Sequence, residues 1–217
     1  MLKERIKAKW FWVARGICQL FCLSFFRVRS TGRDHIPKKG AFVLICNHQS
    51  YLDPILCGIT SPRRLGFLAR ASLFTHWFFG RLISSVGTIP VKLGEADLTA
   101  MRKVIDKLKK GEAICLFPEG TRSIDGKIER FKPGFGLLCR RGKAAIVPAV
   151  VDGAFECWPR HKKLFSHGPI WVSFGKVISA EQAKKMGDEK LADVLTNTLR
   201  QMQNKLRIQN GKEPYDY

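Results

Sequence analysis

His48 and Asp53 stand five residues apart in the stretch Asn47-His48-Gln49-Ser50-Tyr51-Leu52-Asp53-Pro54. A histidine takes a proton from an alcohol near neutral pH because its ordinary pKa is roughly 6.5. It works best when a carboxylate holds one ring nitrogen, fixing the tautomer and leaving the other nitrogen free as the base. In a regular helix five residues turn through about 500°, which misaligns the two side chains, so the pair requires a turn. Pro54 suits the first helical position, with Asp53 or Ser50 as N-cap, and the turn lies just before it. Asn47 and Ser50 shape that turn; no Gly-x-Ser-x-Gly elbow marks Ser50 as a nucleophile.

A second cluster follows about seventy residues later: Phe117-Pro118-Glu119-Gly120-Thr121-Arg122-Ser123. Arginine beside glycine and hydroxyl residues makes a phosphate cradle, the guanidinium giving paired hydrogen bonds. Glu119 has two readings, as part of that cradle or as the carboxylate that holds Arg122. Both clusters directly follow apolar runs, Ala41 to Cys46 and Ala113 to Leu116, which read as buried strands. Chemistry at strand ends is the habit of α/β sheets.

Together the His-x4-Asp stretch and the Phe-Pro-Glu-Gly-Thr-Arg stretch resemble the glycerolipid acyltransferase family, typified by lysophosphatidate acyltransferase. Gly87-Thr88-Ile89-Pro90-Val91 and Ile146-Val147-Pro148-Ala149-Val150 agree with it, and the likeness covers roughly residues 30 to 180. The resemblance implies an α/β fold with a mixed, largely parallel central sheet flanked by helices. It also implies transfer of an acyl group from a thioester, acyl-CoA or acyl carrier protein, to the hydroxyl of a lysophospholipid such as 1-acyl-glycerol-3-phosphate. His48 would be the base and Asp53 its holder. Arg122, Glu119, Gly120 and Thr121 would receive the acceptor phosphate, helped by Lys92 and Arg70, with backbone N–H groups near the helix start as oxyanion donors. No cofactor or metal enters this chemistry. One departure stands out: many relatives carry an arginine shortly after the Gly87 block, where this chain has Lys92 and Leu93. Glycerol 3-phosphate and other lysolipids remain open as acceptors, and a hydrolase acting on water is the enzyme rival.

The elements that must position these residues fit 217 residues with 45% hydrophobic content, enough for one domain with an appendage. Seven cysteines without metal-ligand spacing read as reduced, buried thiols. A net charge of +20 calls for an anionic partner, nucleic acid or lipid. Its distribution favours lipid: residues 1 to 33 hold eight Lys/Arg against one Glu and also the most apolar stretch, Trp10 to Phe26. Seventeen residues with basic flanks are short for a span, so residues 1–27 read as a helix lying in the membrane interface, with Arg15 and Gln19 sharing its polar face. Residues 28–217 then form the acyltransferase domain, its site facing the cytoplasm. A nucleic-acid-binding protein would explain the charge but neither the apolar N-terminus nor the two strand-end clusters.

Along that domain the patterns predict strands over Val28–Asp34, Leu65–Ala69, Gly87–Val91, Ile146–Val151 and Ile170–Phe174. Helices are predicted from Pro54 to about Thr60, over Thr75–Ser85 and Asp97–Lys110, after Phe131-Lys132-Pro133-Gly134 as far as Arg141, and as one long piece over Glu181–Ile208. The Thr75–Ser85 helix has almost no polar face, which makes it buried or membrane-facing. Trp158 to Gly168 is a basic loop that reads as solvated or as a contact for lipid headgroups, ahead of a nucleic-acid surface with Trp158 as its stacking group.

Overall fold

The computed structural model describes residues 2–92 and 97–217; side chains are described from Trp10 onward, Phe79 excepted. Leu93, which follows Lys92, lies outside the described residues. The chain begins with α1 (Leu2–Phe26), β1 (Arg29–Thr31), β2 (Phe42–Cys46), α2 (Asp53–Thr60), β3 (Leu65–Gly66) and β4 (Leu68–Arg70). It continues through α3 (Trp77–Ser85), β5 (Ile89–Val91), α4 (Leu98–Lys109), β6 (Ala113–Leu116), α5 (Phe135–Gly142) and β7 (Ala145–Asp152). The last elements are α6 (Ala154–Cys157), β8 (Trp171–Phe174), α7 (Ala180–Met186) and α8 (Asp188–Gln209).

Six strands form one sheet in the order β1-β8-β7-β2-β6-β3, parallel throughout except for the β7–β8 pair. All five residues of β2 are buried, as its unbroken apolar run requires of a central strand covered on both faces. Alternation sorts them. Phe42, Leu44 and Cys46 join Phe26 of α1 and Leu56 of α2 on one face. Val43 and Ile45 meet Val104 and Leu108 of α4, Leu138 of α5 and Leu195 of α8 on the other. The result is helix, sheet and helix in three layers, the predicted class.

Several elements end sooner than their patterns suggest. The first strand stops at Thr31, where Gly32 turns the chain into a 3₁₀ turn over Arg33–His35. The Leu65–Ala69 run divides between sheets: β3 pairs β6, whereas β4 leaves to pair β5 in a separate two-stranded parallel sheet. Phe131 to Gly134 lead into α5 as expected, with Gly134 at its N-cap position. The long C-terminal helix is two, because Gly187 sits at φ +76°, a left-handed conformation that costs a glycine little and breaks the helix.

Among the described residues no helix is long and apolar enough to cross a membrane. Phe11, Cys22 and Phe26 of α1 are buried against the domain while Trp12, Val13, Ile17, Leu20 and Phe21 are exposed. Arg15 is the surprise. Its guanidinium turns inward to donate to the Ile59 carbonyl at 2.9 Å, so it does not share an outer polar face with the exposed Gln19. Burial, with Arg33 nearby, holds its pKa below the usual arginine value. All seven cysteines are free thiols and six are buried.

Leu44→Ala should cost about 2–5 kcal/mol, because it opens a cavity where sheet and helices close on each other. Calorimetry should show a melting point lower by on the order of 10 °C, against little change for the exposed Ile208→Ala.

Candidate active site

Parallel pairing brings the two clusters together. Ile45 of β2 lies opposite Leu116 of β6, so the Asn47 and Phe117 loops leave the sheet at the same edge, at the carboxyl ends of neighbouring strands. Cys46 lies opposite Ala149 of β7 on the other side, and the Asn47 amide continues that ladder. It donates to the Val151 carbonyl at 3.0 Å and accepts from the Val151 N–H at 2.8 Å.

His48 Nδ1 lies 2.8 Å from Asp53 Oδ2. A carboxylate oxygen at that distance accepts, which puts the imidazole proton on Nδ1 and leaves Nε2 as the open lone pair. The ring stacks on Phe117 with centroids 4.3 Å apart. Asp53 is wholly buried, and the same Oδ2 also accepts the backbone N–H groups of Gln49 and Ser50, both at 2.7 Å. Asp53 is thus the first residue of α2 and not its cap: Leu52 occupies the cap position without a side-chain bond. The carboxylate reaches back to the preceding turn, where it does more for the histidine than for the helix. Those N–H groups, and that of Leu52, which donates to Ser50 Oγ at 3.2 Å, are each bonded within the turn. The Ser50 hydroxyl itself donates to the Trp158 carbonyl.

Glu119 corrects one sequence reading: it makes no ion pair with Arg122. Its Oε1 accepts the His48 N–H at 2.7 Å and its Oε2 accepts the Glu129 N–H at 3.3 Å. The Ser123 N–H donates to the His48 carbonyl at 2.7 Å. Both backbone polar groups of the histidine are thus gripped by the second cluster. Burial pushes the Glu119 carboxyl up to about 8, against the pull of the two amides and with the Asp53 charge adding to the rise.

Arg122 lies over the Tyr51 ring, its Cζ 3.5 Å from the centroid, and its Nη1 is buried without a hydrogen-bond partner. Gly120 and Thr121 are exposed beside it. Gly120 has φ +75°, and a Cβ there would come within 3.2 Å of Lys132 Nζ. Tyr51 and Lys132 are neighbours that residue type alone did not single out; position inside or just after a recognised cluster was the available signal. Arg70 and Lys92 gather at one end of the β4–β5 sheet, where Arg70 pairs in register with Val91. Among the described residues, neither has a hydrogen bond or ion pair to the Phe117–Ser123 loop.

The profile of the Acyltransferase family matches residues 27–152. A chloroplastic 1-acyl-sn-glycerol-3-phosphate acyltransferase of Arabidopsis thaliana is 27% identical over 76% of this chain, which spans 47% of that protein. A 1-acyl-sn-glycerol-3-phosphate acyltransferase of Bacillus subtilis is 27% identical over 82% of the chain and 89% of its own length. The crystal structure of the 1-acyl-sn-glycerophosphate acyltransferase from Thermotoga maritima shares the fold with a TM-score of 0.81 at 22% identity, over 94% of this chain and 83% of that one.

Glu119 gives a pH test. Between about pH 4.5 and 8 the folded chain keeps a proton on Glu119 that the unfolded chain has released, so this group's contribution to stability falls as pH rises. Glu119→Gln cannot titrate, and its melting temperature should decline less steeply than wild type across that window. Parallel slopes would show that Glu119 ionises in the folded protein as it does in the unfolded one.

Proposed function

The chain belongs to the acyltransferase family, and on that premise we propose that it transfers a fatty acyl group from a thioester to the free hydroxyl of a lysophospholipid, 1-acyl-glycerol-3-phosphate first among the acceptors. The observation that carries the reading is the His48–Asp53 pair, with Nε2 left open at a strand end. His48 Nε2 takes the acceptor's hydroxyl proton as that oxygen attacks the thioester carbonyl. The C–S bond then breaks, and the departing thiolate receives the proton back from the imidazolium. No acyl-enzyme is required, and no cofactor beyond the donor itself, acyl-CoA or acyl carrier protein.

Asp53 stabilises the imidazolium and holds its tautomer. Glu119 and Ser123 fix the histidine backbone, which keeps Nε2 in place while the substrates approach. Arg122 binds the acceptor phosphate. Its unpartnered Nη1 and its rigid seat on Tyr51 favour that role, since a buried guanidinium N–H without an acceptor is costly until an anion arrives. Gly120 and Thr121 line the approach, with Arg70 and Lys92 as a more distant basic rim.

The two substrates reach the site from different phases. We assign α1 to the lipid interface, lying in plane: one stripe is fixed to the domain through Phe11, Cys22 and Phe26, and the opposite stripe is apolar and uncovered. The site then faces the cytoplasm, where thioester donors are water-borne and thiols stay reduced.

The test is mass-spectrometric detection of acylated product from a panel of lysophosphatidate, glycerol 3-phosphate and neutral lysolipids, each with both donor types. His48→Ala should lose roughly 10²–10⁴-fold in turnover while keeping its melting temperature. Thioester cleavage equally fast without any acceptor would make the protein a hydrolase instead.

Arg122→Ala should chiefly raise the acceptor KM, and Arg122→Lys should recover part of it, because a point charge lacks the fork. A rise confined to the donor KM would move the phosphate site to the donor.

A further inference from the structure

Two exposed features are left over by this reading. The first is α3. Its Trp77 and Phe78 are 76% and 64% exposed and pack against each other edge to face, and Leu82 is exposed one turn on. The second is the loop from Arg160 to His167, every residue of which is exposed, with Leu164 at 81%. Large apolar side chains in such numbers on a soluble face are costly unless something covers them.

Their position relates them. Trp10, near the start of the exposed part of α1, donates its indole N–H to Ser85 Oγ of α3 at 2.9 Å. At the other end of α1 the Phe165 ring packs against Phe21, Phe25 and Phe26, with centroids 5.9, 5.4 and 5.8 Å apart. The uncovered stripe of α1 therefore meets α3 at Ser85, which shares one helical face with Leu82 and Phe78 by its three- and seven-residue spacing, and at its other end meets Phe165, next to Leu164. Basic side chains accompany both extensions: Arg81 on α3, and Arg160, Lys162 and Lys163 on the loop, all exposed.

We propose that the membrane-binding surface has three parts, α1, the outer face of α3 and the Arg160–Phe165 loop, and that its occupant is an anionic lipid leaflet. The proposal rests on the in-plane assignment of α1 and extends it. Tryptophan and phenylalanine beside arginine and lysine match the headgroup boundary, where rings take the apolar side and cations meet lipid phosphate. A second copy of this chain fits poorly, since each carries a net charge of +20. A nucleic acid would leave Leu82 and Leu164 uncovered, because neither side chain offers a π-face for base stacking.

The experiment is co-sedimentation of the full chain with phosphatidylcholine vesicles and with vesicles that also contain phosphatidylglycerol. Three variants are compared: Trp77→Ser with Phe78→Ser, Lys162→Gln with Lys163→Gln, and, on α1, Ile17→Ser with Leu20→Ser. Melting temperature and turnover on a short-chain, water-soluble lysolipid serve as folding controls. The α3 variant should partition roughly tenfold more weakly into both vesicle types. The lysine variant should lose several-fold only on anionic vesicles, and added salt should erase that difference. Trp77→Phe should bind like wild type, which separates lost membrane contact from lost folding.

If the α3 and loop variants sediment like wild type while the α1 variant is released, the three-part surface is wrong and the α1 assignment stands. If wild type fails to sediment with either vesicle, the α1 assignment itself falls. A lipid-free dimer of wild type that the α3 substitutions dissociate would give the patch to a second copy and overturn the proposal.

Discussion

The site depends on one buried oxygen. Asp53 Oδ2 accepts from the His48 ring and from two successive backbone N–H groups, so one carboxylate fixes the histidine's tautomer, its orientation and the turn that carries it. A fully buried carboxylate is unfavourable by several kcal/mol unless compensated, and these three donors compensate it. The arrangement is lopsided, because Oδ1 is buried without a partner. All compensation therefore passes through the atom that also holds the base, and any loosening of the Gln49–Ser50 turn weakens the grip on His48 as well.

A second constraint acts on the same histidine from outside its own loop. Glu119 and Ser123 bond its N–H and its carbonyl, so the loop after β6 behaves as a splint for the loop after β2. This divides the labour within the Phe117–Ser123 cluster. Glu119 and Ser123 face inward and hold the His48 backbone, Gly120 and Thr121 are exposed, and Arg122 lies over Tyr51. A glutamate buried enough to be pushed up to about 8 is an expensive splint. It ties the His48 amide and the Glu129 amide to one carboxyl group and so joins the two loops.

The helical layers differ in what they face. On one side α4, α5, α7 and α8 bury apolar stripes and present polar residues outward, the ordinary solution for a helix on a sheet. On the other, α1 from Trp10 onward buries Phe11, Cys22 and Phe26 and exposes Trp12, Val13, Ile17, Leu20 and Phe21, and Arg15 turns inward to the Ile59 carbonyl. The in-plane placement proposed for α1 would give that outer stripe an apolar partner.

By itself the sequence determined the elements whose signal is local. Strands β2 and β6 follow from unbroken apolar runs, α4 from its periodicity and the His48 turn from Pro54 after a polar cluster, while the roles proposed for His48, Asp53 and Arg122 come from side-chain chemistry joined to a family likeness. Tertiary structure decided whatever depends on a partner distant in the chain. Glu119 and Arg122 lie close enough in sequence to suggest an ion pair, yet the glutamate's acceptor capacity is claimed by the amides of His48 and Glu129, which the parallel β2–β6 register brings within reach. Asp53 looked like a cap because caps are local, but its carboxylate found stronger donors in the turn before it. The Leu65–Ala69 run divided between two sheets for the same reason, since a strand's partner is not written in the strand. Arg15 turned inward because the Ile59 carbonyl offered its N–H a fixed acceptor. Local pattern specifies which groups must be satisfied or buried, and only the folded chain specifies by what.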